Sequence, residues 1–403
     1  MTVPLPDLSG RTILQVIPDL AAGGAERTVI EIGEALAEAG ARALVVSRGG
    51  RMAADLLAAG GELVEMNVAT KNPIAMRANA GRLARLIRGE GVDLIHARSR
   101  APAWSALGAA RRTQIPYVTT YHGVYSAKSV PKRFYNGVMA RGDRVIANSD
   151  YTAAHVRAEH GVSPDRLVTI HRGVDVAAFD PARVAPEAAA AQRRDWFGGD
   201  VGAAETVVLL PGRLTRWKGQ LAAIAAIAGL PDAMRAQVRL VLLGDAKGRE
   251  AYAAELAEAI TQSGLDGLVR IAPHTSDMAT AYAVADLVLV PSSRPEAFGR
   301  TAAEASAMEK PVIAFAHGGA LETVIDGVTG RLVPLPGAGA GVDGLTSALI
   351  ELMSAPPERC AAMGAAGRAH ILHRFTKRGL QAATLTVYAE LLNTRSGNNR
   401  PRS

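Results

Sequence analysis

Short runs of β-branched and aliphatic residues alternate with segments of helical periodicity along the whole chain. Ile13–Ile17, Ala43–Ser47, Glu62–Met66, Leu94–His96, Tyr117–Tyr121, Arg144–Asn148 and Leu167–His171 predict the strands of a first half. Thr206–Leu210, Val238–Leu243, Val269–Ala272, Leu287–Val290, Val312–Phe315 and Arg331–Val333 predict those of a second. Between them lie amphipathic helical patterns such as Ala25–Ala39, which carries Val29, Ile32 and Leu36 along one face. Strand–helix alternation of this length builds parallel sheets with helices on both faces. The expected class is α/β, with one parallel sheet in each half.

The strand pattern breaks at PARVAPEAAAAQRRDWFGGDVG, where prolines and glycines flank a stretch without strand character. We therefore expect a first domain over 1–180, a linker over 181–203 and a second domain over 204–376. A final helix over Lys377–Leu392 is expected to pack back on the first domain, leaving a polar, frayed tail.

Composition narrows the possibilities. A chain of 403 residues with 48% hydrophobic content has ample material for two cores. The single cysteine, Cys360, excludes an internal disulfide and a cysteine-based zinc cage. No apolar run reaches the roughly 18 residues of a spanning helix, and no signal-peptide core opens the chain, so a cytoplasmic location is expected. Net charge is +7 with a pI near 9.7. Such a surface suits nucleic acid, anionic lipid or phosphorylated substrates. Aromatics are only 4%, and no nucleic-acid motif is present, so lipid or phosphate is the better match.

The most informative stretch is PSSRPEAFGRTAAE, Pro291–Glu304, which follows an apolar strand and enters an Ala-rich helix. Unpaired amides and the macrodipole at a helix start favour an anion, and Gly299 lets a ligand approach. Glu296 and Glu304, eight residues apart, suit sugar and ribose hydroxyls rather than phosphate. Together they suggest a nucleotide-sugar site at a strand's carboxyl end. Gly212-Arg213-Leu214-Thr215-Arg216-Trp217-Lys218-Gly219 follows the first strand of the second half. There Arg213 and Lys218 suit a diphosphate, although taken alone they read equally as solvated surface charge. After the first strand, Gly23 and Gly24 open a helix and can turn backbone amides toward a ligand, or simply satisfy the turn. His122 ends a strand in the first half, where it is a candidate catalytic group.

Other patterns carry less. A G-x-G-x-x-G at Gly339, Gly341 and Gly344 sits late, inside an Ala/Gly-rich loop, and Asp343 reads as a helix cap. His370 and His373 form an H-x-x-H without a third ligand nearby in sequence, and D-x-D is absent, so no metal site is expected. Lys128, Lys132, Arg133 and Arg141 alternate with Val130, Phe134 and Val138 at near-helical spacing. This suggests a face that docks on an anionic membrane, with Arg77, Arg82, Arg85 and Arg88 of the segment Ile74–Arg88 adding charge. An ordinary surface helix packed on the core would look the same.

Taken together, GGAER, HG, GRLTRWKG and PSSRPEAFGRTAAEASAMEKPVIAFAHGGALETVIDGVTGRLV resemble the retaining glycosyltransferase family 4. HARSRAPAWSALGAARRTQIPYVTTYHG and KRFYNGVMARGDRVIANS are similar to its lipopolysaccharide-core branch. Arg172, in RGVD, stands where most of the wider family has Asn. The resemblance implies a GT-B fold, with two Rossmann-like domains facing across a cleft, and metal-independent hexose transfer from a nucleoside-diphosphate sugar to an envelope glycolipid or polysaccharide acceptor. It assigns Glu304 to the ribose, Glu296 to the sugar hydroxyls and the amides of Phe298 and Gly299 to the sugar and diphosphate. Arg213 and Lys218 would neutralise the leaving diphosphate, the backbone around Ala272–His274 would take the base, and His122 would orient sugar or acceptor. Lys128, Lys132, Arg133 and Phe134 would line the membrane and acceptor face, holding the enzyme peripherally on the inner membrane surface. A nucleotide-sugar epimerase and a non-catalytic sugar-nucleotide or lipid-binding protein are the alternatives.

Overall fold

The computed structural model describes residues 3–21, 23–125, 129–198, 205–335 and 341–398. The chain folds as two compact units, Met1–Gly173 with Lys377–Ser403, and Val174–Thr376. The first holds strands β1 (Thr12–Val16), β2 (Arg42–Ser47), β3 (Gly61–Glu65), β4 (Leu94–Ala97), β5 (Tyr117–Tyr121), β6 (Arg144–Ala147) and β7 (Leu167–Thr169). The second holds β8 (Thr206–Pro211), β9 (Val238–Leu243), β10 (Val269–Ala272), β11 (Leu287–Val290), β12 (Val312–Phe315) and β13 (Gly330–Val333). Every strand expected from the sequence is present, with ends shifted by a residue or two.

Both sheets are parallel, ordered β3-β2-β1-β4-β5-β6-β7 and β10-β9-β8-β11-β12-β13. Successive side chains alternate between two apolar layers. Leu14 and Val16 enter one cluster and Ile13 another, while Val208 and Leu210 part from Val207 and Leu209. Burial on both faces explains the unbroken apolar runs. In each sheet the order reverses beside the first strand, at β1/β4 and at β8/β11. Loops diverge there at the carboxyl edge and leave a crevice for ligands.

Three sequence expectations are corrected. The segment expected as a linker, 181–203, instead contains a helix, Pro186–Phe197, whose Trp196 is buried in the second unit's core. Alanine-rich PEAAAAQRRDWF has strong helix propensity, with Pro186 in the first turn and Gly198 left-handed at the end. Asp343 lies inside the helix Gly341–Met353, not at its cap, and Gly339 falls outside the described residues. The last helix runs Lys377–Asn398, beyond the expected end at Leu392. Its Leu380, Leu385 and Tyr388 pack with Ile13, Leu94 and Val118 of the first unit.

Candidate functional site

In the second unit the loops after β8 and β11 meet. Lys218 Nζ donates to Glu296 Oε1 at 2.8 Å, with both side chains largely buried. Ser292 Oγ donates to the same oxygen at 2.6 Å, and among the described residues Oε2 has no protein partner. The Glu296 carbonyl accepts from the Gly319 amide at 2.8 Å, which ties its loop to the turn after β12. His317 Nε2 donates to the Ser292 carbonyl at 2.6 Å, leaving buried Nδ1 as an acceptor without a partner among the described residues. The arrangement joins an ammonium, a carboxylate with one free oxygen and a neighbouring imidazole acceptor.

Gly299 is the N-cap of the helix Arg300–Ala307 with φ +78°, a left-handed conformation that glycine adopts without strain. Among the described residues the Phe298 and Gly299 amides donate to no protein acceptor, so they are open to an anion or a hydroxyl. The Phe298 ring is buried against Phe375, so its backbone, not its side chain, can face a ligand. Glu304, one turn into the helix, is held by Arg300 Nε at 2.6 Å and by the Tyr282 hydroxyl at 3.3 Å. Each carboxylate oxygen keeps a second lone pair for a hydroxyl. Burial, then the neighbouring Glu304, raises the Tyr282 phenol well above its ordinary range, so it remains a donor.

The Arg213 side chain is exposed, and only its carbonyl is engaged, accepting from Gln220 Nε2 at 3.1 Å. His274 is also exposed, and its amide donates to Asp245 at 3.2 Å after β9.

In the first unit the carboxyl edge gathers a second set. Gly23 caps the helix Gly24–Glu38 at φ +136°. A Cβ on Gly24 would lie 1.9 Å from Arg172 Nη1, so only glycine lets that guanidinium lie against the helix start. Arg172 Nη2 donates to His122 Nδ1 at 3.0 Å. Since Nδ1 accepts, the proton sits on Nε2, which is buried and has no partner among the described residues. Burial, then the charges of Arg172 and Arg98, pushes the His122 pKa well below its ordinary value. His122 is therefore a neutral hydrogen-bond donor rather than a base.

Asn148, at the end of β6, carries no motif in the sequence. Its side chain is buried, and both Nδ2 and Oδ1 lack partners among the described residues. Arg172 stands out in the sequence only as a departure from the family pattern. Buried polar atoms normally find partners, so the orphans of His122 and Asn148 mark a place for a polar ligand.

The expected docking face is altered. Val130 and Phe134 are exposed on the short helix Val130–Asn136, as is Ile74. The helix ends before Val138, which is buried in the core and leaves the stripe. Arg133 is paired with Glu159 at 3.3 Å, Lys132 is exposed, and Lys128 lies outside the described residues. On the helix Pro73–Gly89, Leu83 and Ile87 face the core while Arg77, Arg82, Arg85 and Arg88 are solvated, as on an ordinary surface helix. Both units hold candidate sites at the carboxyl edges of their sheets.

Residues 22–178 match the profile described as Glycosyltransferase Family 4, and residues 200–370 match Glycosyl transferases group 1. A D-inositol 3-phosphate glycosyltransferase of Xylanimonas cellulosilytica is 32% identical over 331 residues, 76% of this chain and 74% of that protein. The crystal structure of a glycosyltransferase from Rickettsia africae superposes with a TM-score of 0.85 at 31% identity, covering 95% of this chain and 98% of that one. Anabaena HepE in complex with UDP-glucose superposes with a TM-score of 0.77 at 26% identity, covering 96% and 99%.

Proposed function

This chain belongs to glycosyltransferase family 4 and carries the GT-B fold, and on that premise we propose a metal-independent, retaining hexose transfer to an envelope glycolipid acceptor such as a lipopolysaccharide core. It is an enzyme that uses a nucleotide sugar. The observation that carries the finer reading is the Lys218–Glu296 pair beside the open amides of Phe298 and Gly299.

In this reading the free oxygen of Glu296 accepts from the donor sugar's hydroxyls and Glu304 from the ribose. The Phe298 and Gly299 amides, with Lys218 and the exposed Arg213, stabilise charge as the diphosphate leaves. Electrostatic stabilisation of that kind is the largest single catalytic contribution and replaces a metal ion. The bond from the anomeric carbon to the phosphate oxygen breaks, and the bond to the acceptor oxygen forms on the same face. The acceptor's proton passes to the departing phosphate oxygen. The Nε2–H of His122, and behind it Asn148, orients acceptor or sugar at the first unit's edge.

Exposed Val130 and Phe134, next to Lys132, support peripheral contact with an anionic inner-membrane surface. Each cation there contributes about 1 kcal/mol. A soluble inositol phosphate is the second reading of the acceptor, favoured by the names of the curated relatives.

Thermal shift with UDP-, GDP- and ADP-sugars identifies the donor, since a ligand that binds the folded state raises its melting temperature. NMR of the product's anomeric centre should show retention, and EDTA should leave the rate unchanged. Loss of activity with EDTA and its return with manganese would reject the metal-free mechanism. Nucleoside diphosphate released without acceptor would favour epimerase-type chemistry. Cosedimentation with anionic vesicles that K132S/F134S abolishes supports the lipid surface, and equal binding to neutral vesicles rejects it.

A further inference from the structure

At the opposite edge of the first sheet, the amino ends of β6 and β7 and the last helix border an open cavity of about 590 Å³. It is lined by Arg111, Arg141, Arg144 and Arg166, with Asp143, and by Leu391 and Thr394 of the last helix. We propose that this cavity is a binding site for a phosphate-bearing ligand, separate from the edge that holds His122, Asn148 and Arg172.

Arg166 is already engaged, donating to the carbonyls of Ala140 and Gly142 at 2.7 Å each. The Asp143 carboxylate accepts from the Tyr117 amide at 2.8 Å and is held by the backbone. The other three guanidiniums, Arg111, Arg141 and Arg144, make no direct ion pair among the described residues, although the exposed Asp165 carboxylate feels the charges of Arg166 and Arg144. Some arginines of the same unit pair, Arg11 with Asp93, Arg42 with Glu62 and Glu90, and Arg133 with Glu159, while those of the helix Pro73–Gly89 are solvated and line no part of this cavity.

Arg141 is held differently, with its guanidinium 5.0 Å from the Trp104 ring centroid and 5.1 Å from that of Phe134. These cation–π contacts hold the group without satisfying its N–H donors, which form no ion pair among the described residues. Arg144 spends one long bond, 3.4 Å, on the Asp143 carbonyl.

Like charges crowded around one space repel unless an anion joins them. Guanidinium forks match phosphate oxygens in a bidentate manner. The volume falls within the roughly 300–1,000 Å³ of small-molecule sites. Among the lining residues only Ala140 and Leu391 have apolar side chains, so the ligand is polar and carries at least two negative charges. A soluble phosphomonoester or diphosphate and a phosphomonoester lipid headgroup share that chemistry.

The test uses the full-length protein and the surface variant R111S/R144S, which leaves Lys132 and Phe134 in place. Calorimetry with pyrophosphate and with glucose 6-phosphate, each run with the second unit saturated by the nucleoside diphosphate that thermal shift identifies, should show saturable binding that weakens at least tenfold in the variant. Turnover and nucleotide-sugar affinity should be retained. A second arm compares vesicles containing phosphatidic acid with phosphatidylcholine vesicles. If the variant loses only the phosphatidic acid vesicles, the ligand is a headgroup; if it loses only the soluble phosphates, the ligand is a metabolite. R111K/R144K keeps the charge without the fork and should bind with intermediate affinity. Binding to neither probe, or equal binding by wild type and R111S/R144S, overturns the proposal.

Discussion

Replacing Lys218 by methionine probes the ion pair at the centre of the second unit. At 2.8 Å and an effective dielectric constant near 20, the attraction is about 6 kcal/mol. Desolvation of two ions with side chains only 13% and 17% exposed offsets most of it, so the intact pair contributes little net stability. Removing one partner is different. Glu296 keeps its desolvation cost and retains only the Ser292 hydroxyl, for a loss of about 3 kcal/mol, the lower end of the range for broken buried pairs. In a unit of roughly 200 residues that lowers the melting temperature by about 6–12 °C. Turnover should fall by roughly 10²–10³-fold, the scale for one lost electrostatic donor. The companion variant K218M/E296Q carries no charge to strand and should recover most of the stability but none of the activity. Scanning fluorimetry and nucleoside diphosphate release read the two effects separately. If K218M is as stable as wild type, the pair is not buried as described. If K218M/E296Q restores turnover, Lys218 acts only by balancing Glu296 and not on the diphosphate.

Three further outcomes are expected. Glu304→Ala should weaken binding of the free nucleoside diphosphate, whereas Glu296→Ala should spare it and depress turnover; equal loss of binding in both, measured by calorimetry, would contradict the division of roles. Both His122 and His96 are held neutral by burial, well below their ordinary pKa of 6.5. Unfolded imidazoles take up protons near pH 6.5 while the folded ones do not, so stability is complete above that value. Below it, stability declines by up to about 1.4 kcal/mol per pH unit for each group. Denaturant titrations at pH 7.5, 6 and 5 should show H122N losing less than wild type, and identical slopes would sink this assignment. Asn148→Ala removes a buried amide without partners among the described residues, so stability should change by less than about 1 kcal/mol. Turnover with acceptor should nonetheless fall at least tenfold, and an unaltered rate would make Asn148 a bystander.

The strands are legible because each is apolar along its length, and their alternation with helices forces parallel sheets. Glu296 and Glu304 can be paired from sequence, since one loop and one helical turn connect them. The Lys218–Glu296 contact spans 78 residues and depends on β8 lying beside β11, an order that no local pattern encodes. Arg172 reaches His122 across 50 residues for the same reason. Asn148 leaves no mark because a lone asparagine after a strand usually caps or turns; its buried, orphaned amide emerges only in the assembled sheet edge. The linker expectation fails because flanking prolines and glycines outweigh, on paper, the helix propensity of AAAAQ between them.

The first unit is completed by the last helix of the chain, and this constrains how the protein is made. Ile13, Leu94, Val118 and Ile146 have emerged from the ribosome long before Leu385 and Tyr388, which cover them. At 5–20 residues per second, the intervening two hundred or so residues take about 10–40 s to synthesise. Throughout that interval this face of the amino-terminal sheet is covered only in part, by the helix Gly24–Glu38, and Nδ1 of buried His96 lacks its Tyr388 hydroxyl. The second unit is continuous in sequence and can mature without waiting. Birth order and folding order are thus inverted: the half translated first is sealed last, and a nascent chain stalled before residue 377 presents an apolar sheet face to any chaperone or neighbouring chain within reach.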